Sequence, residues 1–179
     1  LQLRELLAGD ESQLERRFSG RLMFGTAGLR APIMAGPLGM NRLVVRQTAA
    51  GLVDYLLRTI HGASESGVLI GFDARHKSHD FAMDTARVAA ARGMKAMLLP
   101  TVLPTPVLAW NITALGACAG VMVTASHNPR EDNGYKVYLG SGAQIVPPHD
   151  VAISQAIATF DPTNIEVAAN DSPLIQTLD

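Results

Sequence analysis

Residues 68–93 read VLIGFDARHKSHDFAMDTARVAAARG, and this stretch decides the fold. Val68–Phe72 is a continuous apolar run of strand length, the pattern of a strand covered on both faces. A polar turn follows at Asp73–Lys77. Ser78 or His79 then starts a helix over Asp80–Arg92, and Gly93 is its stop. Lys95–Leu99 reads as the next strand. Strand, helix and strand in this order imply a right-handed crossover in a parallel sheet.

The alternation continues in both directions. Upstream, Asn41 can cap a helix from Arg42 to about Ile60, with Val44, Thr48, Leu52 and Leu56 as its apolar stripe and Gly62 as its end. Before it lies GTAGLRAPIMAGPLG (25–39), too rich in Gly and Pro for helix or strand, opened by a short strand at Arg21–Phe24. Asp10, with Gln13 three residues later, can cap a short helix to about Phe18. Downstream, the LPTVLPTP loop (99–106) leads into a helix with Pro106 in its first turn, ending near Leu115. Ala119–Thr124 is a fourth strand, SHNPREDNG (126–134) a polar loop and Tyr135–Leu139 a fifth strand. Pro147 and Pro148 precede a last helix, about His149–Phe160. The tail from Asp161 reads either way. The expectation is an α/β fold: a three-layer α/β/α sandwich around a mostly parallel, mixed sheet.

Composition excludes several classes. The chain has 179 residues, 47% hydrophobic and 17% charged, against an average near 25% charged. Such a chain is not disordered. Its net charge is −1, with +2 on residues 1–90 and −3 on 91–179. Neither half is basic enough to imply nucleic acid. The longest nearly apolar stretch, Leu115–Ala125, has 11 residues. A membrane span needs about 20, so no membrane is expected. LQLRELLAG at the start carries charges inside its apolar run and is no signal peptide. The single cysteine, Cys118, fits a reducing compartment, hence a cytoplasmic location. The chain opens on Leu rather than Met and reads as a piece trimmed from a longer polypeptide.

Four loops carry candidate chemistry. In TASHNP (124–129), Pro129 biases Asn128 away from helix and holds Ser126 at a strand end. The residues alone read as readily as an ordinary polar turn. His127 and Ser126 are neighbours on an extended segment and point apart, which disfavours a serine hydrolase; no GxSxG elbow exists either. In Gly25-Thr26-Ala27-Gly28-Leu29-Arg30, the glycines permit close approach and Arg30 offers a fork for phosphate. A solvated arginine is the equal alternative, and no GK[ST] makes it a P-loop. In Asp132-Asn133-Gly134-Tyr135-Lys136, Asn-Gly reads as a tight turn feeding Lys136 into a strand. A solvated lysine is the plainer reading. Asp73-Ala74-Arg75-His76-Lys77 reads as a turn with a local Asp–Arg pair, or as further positive charge. His61, His76, His79 and His149 have no metal-ligand spacing. Loops after four parallel strands would gather Arg30, Arg75, Lys136 and Ser126 at one sheet edge, where a phosphate is the natural ligand.

TASHNP followed by DNGYKVY, with FGTAGLR early and GFDAR between, resembles the first domain of the α-D-phosphohexomutases. The likeness covers about residues 21–160. LPTPVLAW (103–110) and SGAQIVPPHD (141–150) agree with it. Ala27, DNGYKVY and GAQIVPPHD resemble the phosphoglucomutase/phosphopentomutase-like branch. The resemblance implies three parts: an N-terminal helical segment (1–20), the catalytic-serine domain (21–160), and a tail (161–179) leading to later domains. It implies that Ser126 carries a phosphoryl group as phosphoserine. That group passes to a hexose or pentose phosphate and returns through a bisphosphorylated sugar, moving phosphate between C1 and C6 or C5. Lys136 and Arg30 would assist proton transfer and stabilise the phosphoryl group. His127 and Asn128 would flank it, and Thr26 and Arg75 would bind phosphate. Mg²⁺ would sit on Ser126 through its phosphate, with its other ligands in a DGDGDR-type loop of a second domain, and a sugar bisphosphate would act as activator. No such loop occurs in this sequence, so the chain alone is expected to be inactive. The alternative is an α/β module that binds phosphate or nucleotide without transferring it.

Overall fold

The computed structural model describes residues 2–9 and 11–179. In order come α1 (Gln2–Leu7), α2 (Glu11–Phe18), β1 (Leu29–Pro32), α3 (Arg42–Thr59), α4 (Ala63–Ser66), β2 (Val68–Phe72), α5 (Ser78–Ala91), β3 (Ala96–Leu98), α6 (Thr105–Ala114), β4 (Ala119–Val123), β5 (Asp132–Leu139), α7 (His149–Ala158) and β6 (Ile175–Thr177). The expected cap Asp10 lies outside the described residues; the helix it was assigned to is α2.

The sheet has six strands in the order β1-β5-β4-β2-β3-β6. β2 pairs in parallel with β3 and β4, and β3 with β6. β5 runs antiparallel to β4 and to β1. All five residues of β2 and all five of β4 are buried, as continuous apolar runs require. Alternate residues serve two cores. Ile70, Phe72, Val121, Val123, Tyr135 and Val137 pack with α3, α5 and α7 residues such as Leu52, Phe81 and Ile153. Leu69, Met122 and Tyr138 pack on the other face with Leu108 and Ile112 of α6. This is the expected α/β/α sandwich, and the sheet is mixed.

Local chemistry accounts for the helix starts. Asn41 Oδ1 accepts the Val44 N–H at 3.1 Å, while its amide donates to the carbonyls of Met34, Gly36 and Gly39, so one side chain caps α3 and ties the preceding loop. Asp84 of α5 has a fully buried side chain held by Arg42 at 2.6 Å and Arg46 at 2.9 Å, which pins α3 to α5.

Three local expectations are corrected. Arg21–Phe24 forms no strand; the first strand is Leu29–Pro32, inside the segment read as loop. It is an edge strand that exists by pairing with β5 (Arg30 with Gly134, Pro32 with Asp132). Asn133-Gly134 is no turn; both residues lie inside β5. Gly62 does not end α3, which stops at Thr59, but precedes the short α4. The ambiguous tail contributes β6, which pairs with Ala96–Leu98 at the far edge.

Candidate active site

Ser126 lies just beyond the C-terminal end of β4, exposed, with φ +59°. A non-glycine residue adopts that left-handed conformation only when its surroundings impose it. Here they do so from both sides. The Ser126 N–H donates to Thr124 Oγ1 at 3.0 Å, and Thr124 Oγ1 donates to Asp73 Oδ2 at 2.6 Å. The Ser126 carbonyl accepts from Arg75 Nη2 at 2.9 Å.

Arg75 reaches much further. Nη2 also donates to the Asn128 carbonyl at 2.8 Å. Nη1 donates to the carbonyls of Pro129 at 2.6 Å and Asp132 at 3.0 Å. Nε faces Asp73 Oδ2 at 3.3 Å. A guanidinium has five N–H groups; the four on Nη1 and Nη2 donate to backbone carbonyls, and Nε adds an ion-pair contact to Asp73. The local Asp73–Arg75 pair read from the sequence is present. Asp73 Oδ1 further accepts from the Arg75 N–H at 3.0 Å and from Ser78 Oγ at 2.7 Å.

Arg30 and Lys136 reach the same region from strands. Facing positions across the β1–β5 and β4–β5 ladders place Arg30, Gly134, Lys136 and Tyr138 on one face of the sheet. Gly134 has no side chain, and its missing Cβ would stand 3.2 Å from Arg30 Cγ. Arg30 passes over it, and its Nη1 donates to Asn128 Oδ1 at 3.3 Å. The Asn128 amide donates to Asp132 Oδ2 at 2.9 Å. Asn133, fully buried, donates to the His76 carbonyl at 2.8 Å and to Ser78 Oγ at 3.0 Å.

Among the described residues, neither Arg30 nor Lys136 has a carboxylate within ion-pair distance. Burial lowers the Lys136 pKa from the ordinary lysine value, and the charge of Arg30 lowers it further. Burial raises that of Tyr138, with Arg30 opposing. Arg30, bonded to Asn128 two residues beyond the exposed Ser126, and Lys136 on the same sheet face thus carry positive charge without internal neutralisation, which favours an anionic ligand. A cleft of about 670 Å³ opens nearby, lined by Asp73, Ala74, Arg75, His76, Asn128 and Arg130.

The remaining expected site residues are more peripheral. His127 is exposed and without a side-chain partner among the described residues. Thr26 is exposed at the tip of a turn closed by Gly28 N–H to Gly25 O at 2.8 Å. Its carbonyl accepts from Gln144 Nε2 at 2.6 Å. Gly28, at φ +73°, lies so close to the Tyr135 carbonyl that no Cβ would fit, whereas Gly25 has open space. The expected geometry of four loops after four parallel strands is corrected. Only the loops at Asp73 and Ser126 follow parallel strands. Arg30 and Lys136 sit within β1 and β5, and the antiparallel course of β5 carries its first residues to the end of β4. Thr124, Asp132 and Asn133 stood inside the quoted motifs but carried no role there; the structure gives them one. Their signal was polarity at positions where a strand end should be apolar.

Mg²⁺ takes about six oxygen ligands. Among the described residues there is no group of three or more His, Cys, Asp or Glu side chains that could hold a metal. Both Asp73 oxygens are engaged by Thr124, Ser78 and Arg75. The described residues around Ser126 therefore do not by themselves make up a site for a resident Mg²⁺.

Residues 21–163 match the family described as phosphoglucomutase/phosphomannomutase, alpha/beta/alpha domain I. The chain is 47% identical over 150 residues to a probable phosphoribomutase of Schizosaccharomyces pombe, covering 84% of this chain and 26% of the relative. It is 44% identical over 162 residues to a mouse phosphopentomutase (87% and 26%), and 52% identical over 132 residues to a probable phosphomannomutase of Haemophilus influenzae (72% and 27%). Among solved structures, a putative phosphomannomutase of Thermus thermophilus superposes with a TM-score of 0.73 at 28% identity, covering 89% of this chain and 33% of that one. The chain thus spans about a quarter of the length of the curated relatives it matches. It belongs to the phosphoglucomutase/phosphomannomutase family, as the alpha/beta/alpha domain I.

Proposed function

We propose that this chain is the catalytic-serine domain of a phosphosugar mutase, with Ser126 as the phosphoryl carrier. The observation that carries the reading is an exposed serine just beyond the end of β4, its backbone held at φ +59°, in a loop tied to Arg30, which with Lys136 on the same sheet face lacks a carboxylate partner. Phosphoryl transfer asks for alignment and charge neutralisation. A phosphoserine brings about −1.5 to −2 charges, and these two cations offset part of it.

In the forward step the Ser126 Oγ–P bond breaks as a sugar hydroxyl forms its own O–P bond. The sugar hydroxyl releases its proton to solvent water, and Lys136 supplies one to the serine oxygen. In the return step the sugar's other phosphate moves to Ser126, whose proton goes back to Lys136. His127 and Asn128 flank the phosphate, and Thr26 contributes to phosphate or substrate binding. The substrate is a hexose or pentose monophosphate, as the names of the relatives support. Mg²⁺ and the remaining sugar contacts are assigned to other domains of a longer polypeptide. The isolated 179-residue chain is therefore inactive as a mutase. The buried, unpaired Cys118 fits a reducing, cytoplasmic setting. No helix among the described residues is long and apolar enough to cross a membrane.

The test is intact mass after incubating the full natural polypeptide with glucose 1,6-bisphosphate. The expected result is one added phosphoryl group, absent in Ser126→Ala together with turnover. Normal turnover by Ser126→Ala overturns the reading. Tight reversible binding with no mass gain supports a phosphate-binding module instead.

A further inference from the structure

We infer that Arg75 is a positioning residue for Ser126: it holds the serine loop in its reactive conformation and makes no contact with phosphate. This rests on the reading of Ser126 as phosphoryl carrier.

Three hydrogen bonds and one ion pair around Ser126 form a closed ring. The Ser126 N–H donates to Thr124 Oγ1, Thr124 donates to Asp73 Oδ2, Arg75 Nε faces that same oxygen, and Arg75 Nη2 returns to the Ser126 carbonyl. Both peptide groups of the serine are therefore fixed by one circuit. The circuit begins and ends on the residue whose φ is +59°. A sparsely populated backbone conformation persists only when the surroundings over-determine it.

Arg75 also collects the carbonyls of Asn128, Pro129 and Asp132. In a trans peptide the C=O and the following N–H point in opposite directions. With the Ser126 carbonyl drawn to Arg75, the His127 N–H is turned to the side of the loop away from Arg75. That N–H has no partner among the described residues, which leaves it free to donate to an anion. Arg75 thus converts its own charge into loop geometry. Four carbonyls take its four Nη donors while Nε pairs with one carboxylate, and a planar fork of this reach is a task lysine cannot repeat with three donors.

The experiment compares the full natural polypeptide with Arg75→Lys, using α-D-ribose 1-phosphate and α-D-glucose 1-phosphate with Mg²⁺ and glucose 1,6-bisphosphate. A positioning role lowers kcat on the order of a hundredfold and leaves KM unchanged, because a small displacement of a reacting group has that size of effect. A KM raised about tenfold or more marks direct phosphate binding and overturns the inference, as does an unchanged kcat. If circular dichroism shows Arg75→Lys unfolded, the ring is tested at Thr124. Thr124→Val loses kcat and Thr124→Ser recovers most of it; equal kcat in the two overturns the inference. Turnover that survives Ser126→Ala is the failure of the functional reading itself. In that event, faster hydrogen exchange at the His127 and Asn128 amides of Arg75→Lys still supports the clamp, and unchanged exchange overturns it.

Discussion

Arg30 and Asn128 lie 98 residues apart in sequence and join through a 3.3 Å hydrogen bond from Nη1 to Oδ1. The bond ties the edge strand β1 to the loop that presents Ser126. Arg30→Met removes both the tie and the charge facing Lys136. We expect kcat to fall on the order of 10²–10³-fold, the usual scale for losing a preorganised donor. Lys136 keeps its burial but loses the repulsion, so its pKa rises toward the ordinary lysine value. The alkaline limb of the pH–rate profile should move to higher pH in this variant. An unmoved limb with intact residual activity argues against coupling of the two residues.

Lys136 is held in its charged form at a cost to folding. The sign follows from the lowered pKa: the penalty is fully present below the folded pKa and disappears as pH rises past the unfolded value. Lys136→Met should therefore raise Tm by about 1–3 °C at pH 7, while turnover is lost. The gain should shrink above pH 10.5, the ordinary lysine value. Thermal unfolding followed by circular dichroism at the two pH values checks both parts.

Glycines at the site are not equivalent. A Cβ at Gly134 would stand 2.5 Å from the Leu29 carbonyl oxygen and 2.7 Å from that of Thr124. Gly134→Ala should destabilise by about 2–4 kcal/mol in urea unfolding, because both neighbours are backbone and β1 must separate from β5. Gly25→Ala, which meets open space, should stay within about 0.5 kcal/mol of wild type.

Asp84 pins α3 to α5 and has no contact with the serine loop among the described residues. Its fully buried carboxylate is held by Arg42 and Arg46. Asp84→Asn strips the charge that both cations were placed to meet. A loss of about 3 kcal/mol is expected, the scale for breaking a buried pair from one side. A urea midpoint equal to that of wild type would falsify this assignment.

The central fold was legible because its signals are local. Val68–Phe72 and Ala119–Val123 are apolar throughout, and Asn41 announces α3 by its capping chemistry. β1 was not legible: four residues with a terminal proline carry almost no strand preference, and only the ladder to β5 makes them one. Asn133-Gly134 misled for the opposite reason. The pair has a strong turn preference, yet Asn133 is needed at His76 and Ser78, and the ladder overrides the preference. At the site, Ser126, Arg30 and Lys136 were visible as motif residues. The duties of Arg75 were not, because its partners are backbone carbonyls and those leave no mark in the sequence.

The strand order has a consequence for how the protein is made. β1 sits at the sheet edge and its one neighbour, β5, is synthesised last among the central strands. On the ribosome, β1 therefore emerges long before anything can cover its hydrogen-bonding groups, and non-local pairing of this kind is slow. Until Asp132–Leu139 appears, the strand that carries Arg30 waits as an open edge, vulnerable to pairing with another chain. Pro32, which lacks an N–H, shortens the stretch that a stray strand could grip.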